Sequence, residues 1–169
     1  LPNDMLSHHR SVTLCCDLFY VLGLVFSLST SRGIRFLSCR PMANRLKSTI
    51  KACLSADLDV YRDRGFVPAE VHADAEYSPL KNSFPGVHFS ICAVEDHVPE
   101  AERAIRTVKE TVRATIHGMP YKRLPRVMVR ELVKFATHSL NMLPSLDGIS
   151  DTMSPESIVT GTPRPDFNN

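Results

Sequence analysis

Three acids stand where the surrounding pattern gives little reason for them. Asp17 interrupts the apolar run LCCDLFYVLG, Asp74 follows the strand-like VHA in VHADAEYSPL, and Glu102 sits early in PEAERAIRTVKE. A carboxylate inside an apolar run costs free energy unless a cation or hydrogen-bond donors meet it. The other two have plain structural uses, Asp74 as a turn former and Glu102 as an acid at the positive end of a helix. The stretch EDHVPEAERAIRTVKE, residues 95–110, poses the same choice. It is either a solvated helix with acids early and bases late, or a helix in which one acid is a metal ligand. Other chemistries find no foothold: the chain has no G-x-G-x-x-G, no Walker loop, and no serine or cysteine in a nucleophile motif.

The elements that must position these acids follow from periodicity. Three strand-like runs, VTLCCDLFYV, LVFSLST and GIRFLSC, are separated by Gly23 and by SRG and predict a β-meander over residues 12–37. Pro41 then suits a first helical turn, and Met42, Leu46, Ile50, Cys53 or Leu54, Leu58 and Tyr61 recur at helical spacing, with Arg45, Lys47 and Lys51 facing away. VPAEVHA predicts a short strand with Asp74 just past its end, and VHFSICAV another. Pro99 opens a helix with Ile105, Val108, Val112 and Ile116 on its apolar stripe, and GMP closes it. A further helix is expected over residues 125–141, with Val129, Leu132 or Val133, Ala136 and Leu140 inward. SPESIVTG predicts a short helix capped by Ser154 and Gly161. The plan is mixed α/β with a meander first. Residues 1–11 read as an irregular N-terminal tail, 12–143 as a core, and 144–169 as a loop, short helix and linker.

Composition bounds the answer without naming it. A chain of 169 residues, 43% hydrophobic and 22% charged, fits one globular domain with a real core. The net charge is only +2, yet between Glu102 and Lys134 nine Lys/Arg face three Glu. A base-rich segment on a near-neutral chain is either a solvated face or the footprint of a polyanion. Five cysteines, an odd number set mostly in apolar runs, read as reduced buried thiols. His8, His9, Cys15 and Cys16 make a poor zinc set, because adjacent residues on an extended chain point apart. SVTLCCDLFYVLGLVFSLSTS resembles a membrane span by hydropathy, but Asp17 at its middle favours a buried hairpin.

Taken in order, these segments resemble the catalytic core of retroviral-type integrases, specifically the copia-type retrotransposon branch of the RNase H-like superfamily. Asp17 in LCCDLFYVLG matches the first-strand Asp, and Asp74 in VHADAEYSPL the second Asp of a D-G-E-F-like motif. Glu102 matches the Glu of the Glu-Arg pair opening the catalytic helix, and SPESIVTG before PRPDF is similar to the segment that ends the core. The likeness covers residues 12–167. It implies an RNase H-like α/β fold: a mixed five-stranded sheet, meander first, flanked by helices.

The resemblance also implies a function. Asp17, Asp74 and Glu102 would be catalytic, holding two Mg²⁺ or Mn²⁺ ions, and their carboxylates would converge on one shallow cleft. Arg103, Arg106, Lys109 and Arg113 would contact DNA. The domain would trim the ends of a mobile element and join their 3′ hydroxyls to target DNA, as a homo-oligomer on paired ends, without a small-molecule cofactor or a membrane. It would act in the nucleus and in a cytoplasmic particle and would not be secreted. Two departures bear on activity. Ala75 replaces the glycine common after the second Asp, which would be strained at positive φ, and only 28 positions separate Asp74 from Glu102. The alternatives are a truncated or domesticated, catalytically inactive interaction module of the same fold, and a small membrane-associated protein anchored by residues 12–28.

Overall fold

The computed structural model describes residues 3–92, 98–121 and 123–161. Strands β1 (Ser11–Val21), β2 (Leu24–Ser31) and β3 (Leu37–Pro41) form an antiparallel meander. Strands β4 (Val67–Ala73) and β5 (His88–Ile91) extend it in parallel, giving one mixed sheet of order β3-β2-β1-β4-β5. The helices are α1 (Asn3–His9), α2 (Lys47–Asp63), α3 (Pro99–His117), α4 (Arg126–Asn141) and α5 (Pro155–Thr160).

The central strand is buried on both faces, and its alternation sorts the molecule into two cores. Val12, Leu14 and Cys16 face Leu54, Leu58 and Tyr61 of α2. Cys15, Phe19 and Val21 face Ile105 and Val108 of α3 and Val133 and Ala136 of α4. A strand covered on both sides reads as an unbroken apolar run, which accounts for the span-like hydropathy of residues 12–28. No helix among the described residues is long and apolar enough to cross a membrane. The β1–β2 turn is made by Leu22 and Gly23, both at positive φ (46° and 77°), the backbone that a tight two-residue hairpin requires.

The structure departs from the sequence expectation in four places. Residues 3–9 are a short helix rather than an irregular tail, and Met5 and Leu6 pack on the α2-side core. The third strand begins at Leu37 rather than Gly33, because Gly33 and Arg35 adopt positive φ and make the turn. Pro41 ends β3 instead of opening a helix: β3 is an edge strand, where a missing N–H is tolerated. Helix α2 therefore starts at Lys47, after Asn44 Oδ1 has accepted hydrogen bonds from Leu46 N and Thr49 Oγ1. Finally, α5 is part of the same packing as the sheet, since Ile158 and Val159 are buried in the α2-side core. The expected linker after Gly161 lies outside the described residues.

Candidate active site

Parallel pairing places the two aspartates. Cys16 of β1 is partnered with Ala73 of β4, and each is followed directly by an acid. Asp17 stays within β1, opposite Leu28 of β2, while Asp74 is the first residue past the end of β4, so the two acids follow the last paired residues of neighbouring strands. Odd positions of β1 face α3, so Asp17 lies on the side where α3 crosses. Asp17 Oδ1 accepts from Leu18 N at 2.6 Å, and Asp74 Oδ1 accepts from Glu76 N at 3.0 Å. Asp74 thereby caps a 3₁₀ segment, Ala75–Ser83. Ala75 is not at positive φ, which among the described non-glycine residues is confined to Leu22 and Arg35, so the expected strain after Asp74 does not arise.

A clamp that the sequence does not signal braces that turn. Arg45 Nε donates to Glu76 Oε2 at 3.0 Å, its Nη2 pairs with Glu76 Oε1, and its Nη1 donates to the Tyr20 hydroxyl at 3.1 Å. The guanidinium also lies 5.9 Å from the centre of the Tyr20 ring. Helical spacing puts Arg45 on a solvated face, but it precedes α2, and it ties β1 to the residue whose amide Asp74 grips.

Glu102 lies in the first turn of α3, its amide bonded to Val98 O at 3.0 Å. It fronts an open groove of about 420 Å³ with Asp17 on the facing strand, and Arg106, Lys109 and Arg113 continue the wall along the helix. Lys109 is positioned rather than loose: its Nζ sits 5.9 Å from the centre of the Phe19 ring. Arg103 does not join them. It turns to a second cavity on the other flank of α3, because one residue on a helix is a 100° rotation. Two of the three expected acids therefore share this groove, with Asp74 just past the end of the neighbouring strand. Among the described residues, no group of three or more His, Cys, Asp or Glu is gathered closely enough to hold a metal ion. Glu95 and Asp96 of the acid-rich stretch lie outside the described residues.

The donor chemistry fits a hard cation all the same. Magnesium is commonly held by one or two carboxylates plus substrate phosphates rather than by an all-protein cage, and Asp17 and Glu102 on the groove, with Asp74 past the end of the neighbouring strand, are donors of that type. The thiols beside them do not compete. Burial, with a contribution from Glu100, pushes Cys15 up to about 11, and burial raises Cys16 well above its ordinary value. All five cysteines are free, and Cys15 and Cys16 point into opposite cores, away from exposed His8 and His9.

The α3 entry is held by a charge pair. Arg32 Nη2 lies 2.6 Å from Glu100 Oε1. Burial alone would raise the Glu100 carboxyl, but hydrogen bonds from its own backbone and from Arg32 outweigh it and leave the group lowered from 4.5. A lowered carboxyl adds stability that is complete above its unfolded value and is lost as pH falls through the folded one. Glu100→Gln should therefore flatten the acid limb of a urea-midpoint profile below about pH 4.5. An unchanged limb would show that Arg32 does not stabilise the ionised form.

No family model matches the sequence, and no curated protein matches it. Solved structures do resemble the fold. The catalytic core domain of BIV integrase is 13% identical with a TM-score of 0.58, over 88% of this chain and 93% of that one. The HTLV-2 integrase catalytic core domain, solved in complex with magnesium in a trimeric form, is 12% identical with a TM-score of 0.59, over 89% and 96%. At such identities the likeness establishes the fold: an integrase-core, RNase H-like architecture with the expected mixed five-stranded sheet flanked by helices.

Proposed function

We propose that this chain is an integrase-type catalytic domain of the copia retrotransposon kind, acting on DNA with Mg²⁺ or Mn²⁺. The observation that carries this reading is a groove shared by Asp17, Glu102 and a row of three bases on α3, with Asp74 one residue past the β4 position paired to Cys16. Asp17 and Asp74 would hold the ions, with Glu102 completing the set across the groove. Two such ions supply the charge that activates an attacking oxygen and stabilises the departing one. Arg106, Lys109 and Arg113 hold the phosphodiester against the acids, Lys109 steadied by Phe19. In end trimming a water oxygen forms the new bond to phosphorus and a DNA 3′ oxygen leaves. In joining, the exposed 3′ hydroxyl attacks a target phosphodiester and the target's own 3′ oxygen leaves with the proton. The domain would assemble as a homo-oligomer on paired element ends, in a cytoplasmic particle and then the nucleus.

A second reading, a DNA-binding module of this fold without catalysis, is favoured by the lack, among the described residues, of a group of three or more acids, histidines or cysteines close enough to hold a metal ion. Nicking of supercoiled plasmid and joining of a short duplex to it, with Mn²⁺ or Mg²⁺, separate the two. Metal-dependent products support the enzyme; DNA binding without products supports the module. Absence of both removes DNA from the account.

The basic wall has its own expected result. Arg106→Glu with Lys109→Glu should weaken duplex binding and reduce the slope of log affinity against log salt by roughly two, since each lost phosphate contact removes about 0.9. A slope equal to that of the unaltered protein would place DNA elsewhere.

A further inference from the structure

The cavity on the other flank of α3 has a chemistry of its own. It encloses about 310 Å³ between the β2–β3 turn, α3 and the segment after α4, and both Arg35 and Arg103 line it. Two acids, Glu100 and Asp147, also reach it. Glu100 is already engaged by Arg32 at 2.6 Å, which leaves two guanidiniums against a single carboxylate. Among the described residues, neither Arg35 nor Arg103 makes an ion pair or a side-chain hydrogen bond. Thr30 and Thr107 add hydroxyls to the wall. Arg35 is held at φ 65°, where glycine would be favoured and any Cβ is a burden. Side chains kept against such a preference cluster at binding sites.

We infer that this cavity is a second phosphate site, so that duplex DNA straddles α3, one backbone in the acid groove and the other against Arg35 and Arg103. The inference rests on the reading of the chain as DNA-binding and adds to it a residue, Arg35, outside the α3 row. The geometry suits a duplex. A helix with its side chains is about 10–12 Å across, close to the width of about 12 Å of a DNA major groove. Cations on its two flanks therefore meet phosphates on the two rims. The positions divide accordingly: Glu102, Arg106, Lys109 and Arg113 line one side, Glu100, Arg103 and Thr107 the other.

Arg35 permits a test in which folding and binding move in opposite directions. Arg35→Gly removes the guanidinium and relieves the backbone, so its thermal midpoint should be unchanged or higher. Its binding to a 30-base-pair duplex of arbitrary sequence, measured across a potassium chloride series, should show a salt slope smaller by about 0.9. Arg103→Ala should do the same, and the two together should remove about twice as much. Unaltered protein that binds duplex, with variants of unchanged slope, overturns the second phosphate site and leaves the proposed function standing. Failure of the unaltered protein to bind duplex at all overturns both. Equal loss of affinity in all variants at an unchanged slope would point to an uncharged contact, and overturns the phosphate assignment.

Discussion

On the proposed function, Asp74→Asn should abolish metal-dependent DNA joining and leave the fold intact. The substitution is close to a pure charge deletion: an asparagine Oδ1 still accepts from Glu76 N, as Asp74 Oδ1 does at 3.0 Å, so the cap of the 3₁₀ segment survives. The Arg45–Glu76 clamp does not involve the Asp74 side chain and should persist. What disappears is one carboxylate of the proposed metal set. A metal ligand acting through charge stabilises a phosphoryl transition state by several kcal/mol, and about 4 kcal/mol corresponds to roughly a thousandfold in rate. Asp17→Asn should give the same loss, since asparagine can keep the contact with Leu18 N. Manganese affinity measured by calorimetry supplies a readout that a merely structural role would not move: it should fall in both variants, with unchanged unfolding midpoints. Full joining by Asp74→Asn would remove that residue from the site. Glu102→Gln is the sharper discriminator, because Glu102 is exposed on the opposite wall. Joining that survives its loss would reduce the site to the two aspartates.

Much of this frame is legible in the order of residues along the chain. The meander, the strand ahead of Asp74, and the stripe of Ile105, Val108 and Val112 depend on local periodicity, and periodicity reports which face is buried. Asp17 stands out in the sequence because it interrupts an apolar run, and the structure sets it half-buried at the edge of the groove. The resemblance orders the three acids, and the β1–β4 register ends one residue short of two of them. Arg103 falls on the other flank from Arg106, Lys109 and Arg113, since a run of bases on one helix spreads over two sides. Arg35 and Arg45 are illegible because turns between elements carry no period, and the groups they meet lie far off in sequence. Asp57 is different, for it carries a signal that periodicity alone displays. It lies three residues after Leu54 and four before Tyr61, squarely on the apolar stripe of α2, and that spacing marks a buried charge in need of partners.

Those partners make Asp57 the buried acid that ties α2 to β2 and β3. Its residue is only 2% exposed, and every donor comes from one face of the β2–β3 ladder. Ser29 and Ser38 stand directly opposite each other and donate to Oδ2 at 2.8 Å and to Oδ1 at 2.7 Å. Arg40, two residues along β3, donates its Nε to Oδ1 at 2.5 Å. Ser27 and Ser31 continue the same buried face, Ser27 meeting the Tyr77 hydroxyl at 3.3 Å and Ser31 Oγ accepting from Phe36 N at 3.1 Å. Ser29 and Ser38 at the middle of the stripe are matched by the acceptor that α2 brings to them. Removing one partner of a buried pair typically costs about 3–5 kcal/mol, more than the pair itself contributes, because the remaining polar groups lose their match. Arg40 keeps about a third of its side chain exposed and can reach water; Ser29 cannot. Asp57→Ala should therefore lose roughly 3–4 kcal/mol in a urea titration at constant m. For a chain of this length that is a fall in thermal midpoint on the order of 10 °C. Asp57→Leu combined with Arg40→Met should recover part of the loss, since an apolar replacement of the whole pair leaves no stranded charge. A loss below about 1 kcal/mol in the alanine variant would mean that the serines and Arg40 find other partners, and that α2 is held to the sheet by its apolar stripe alone.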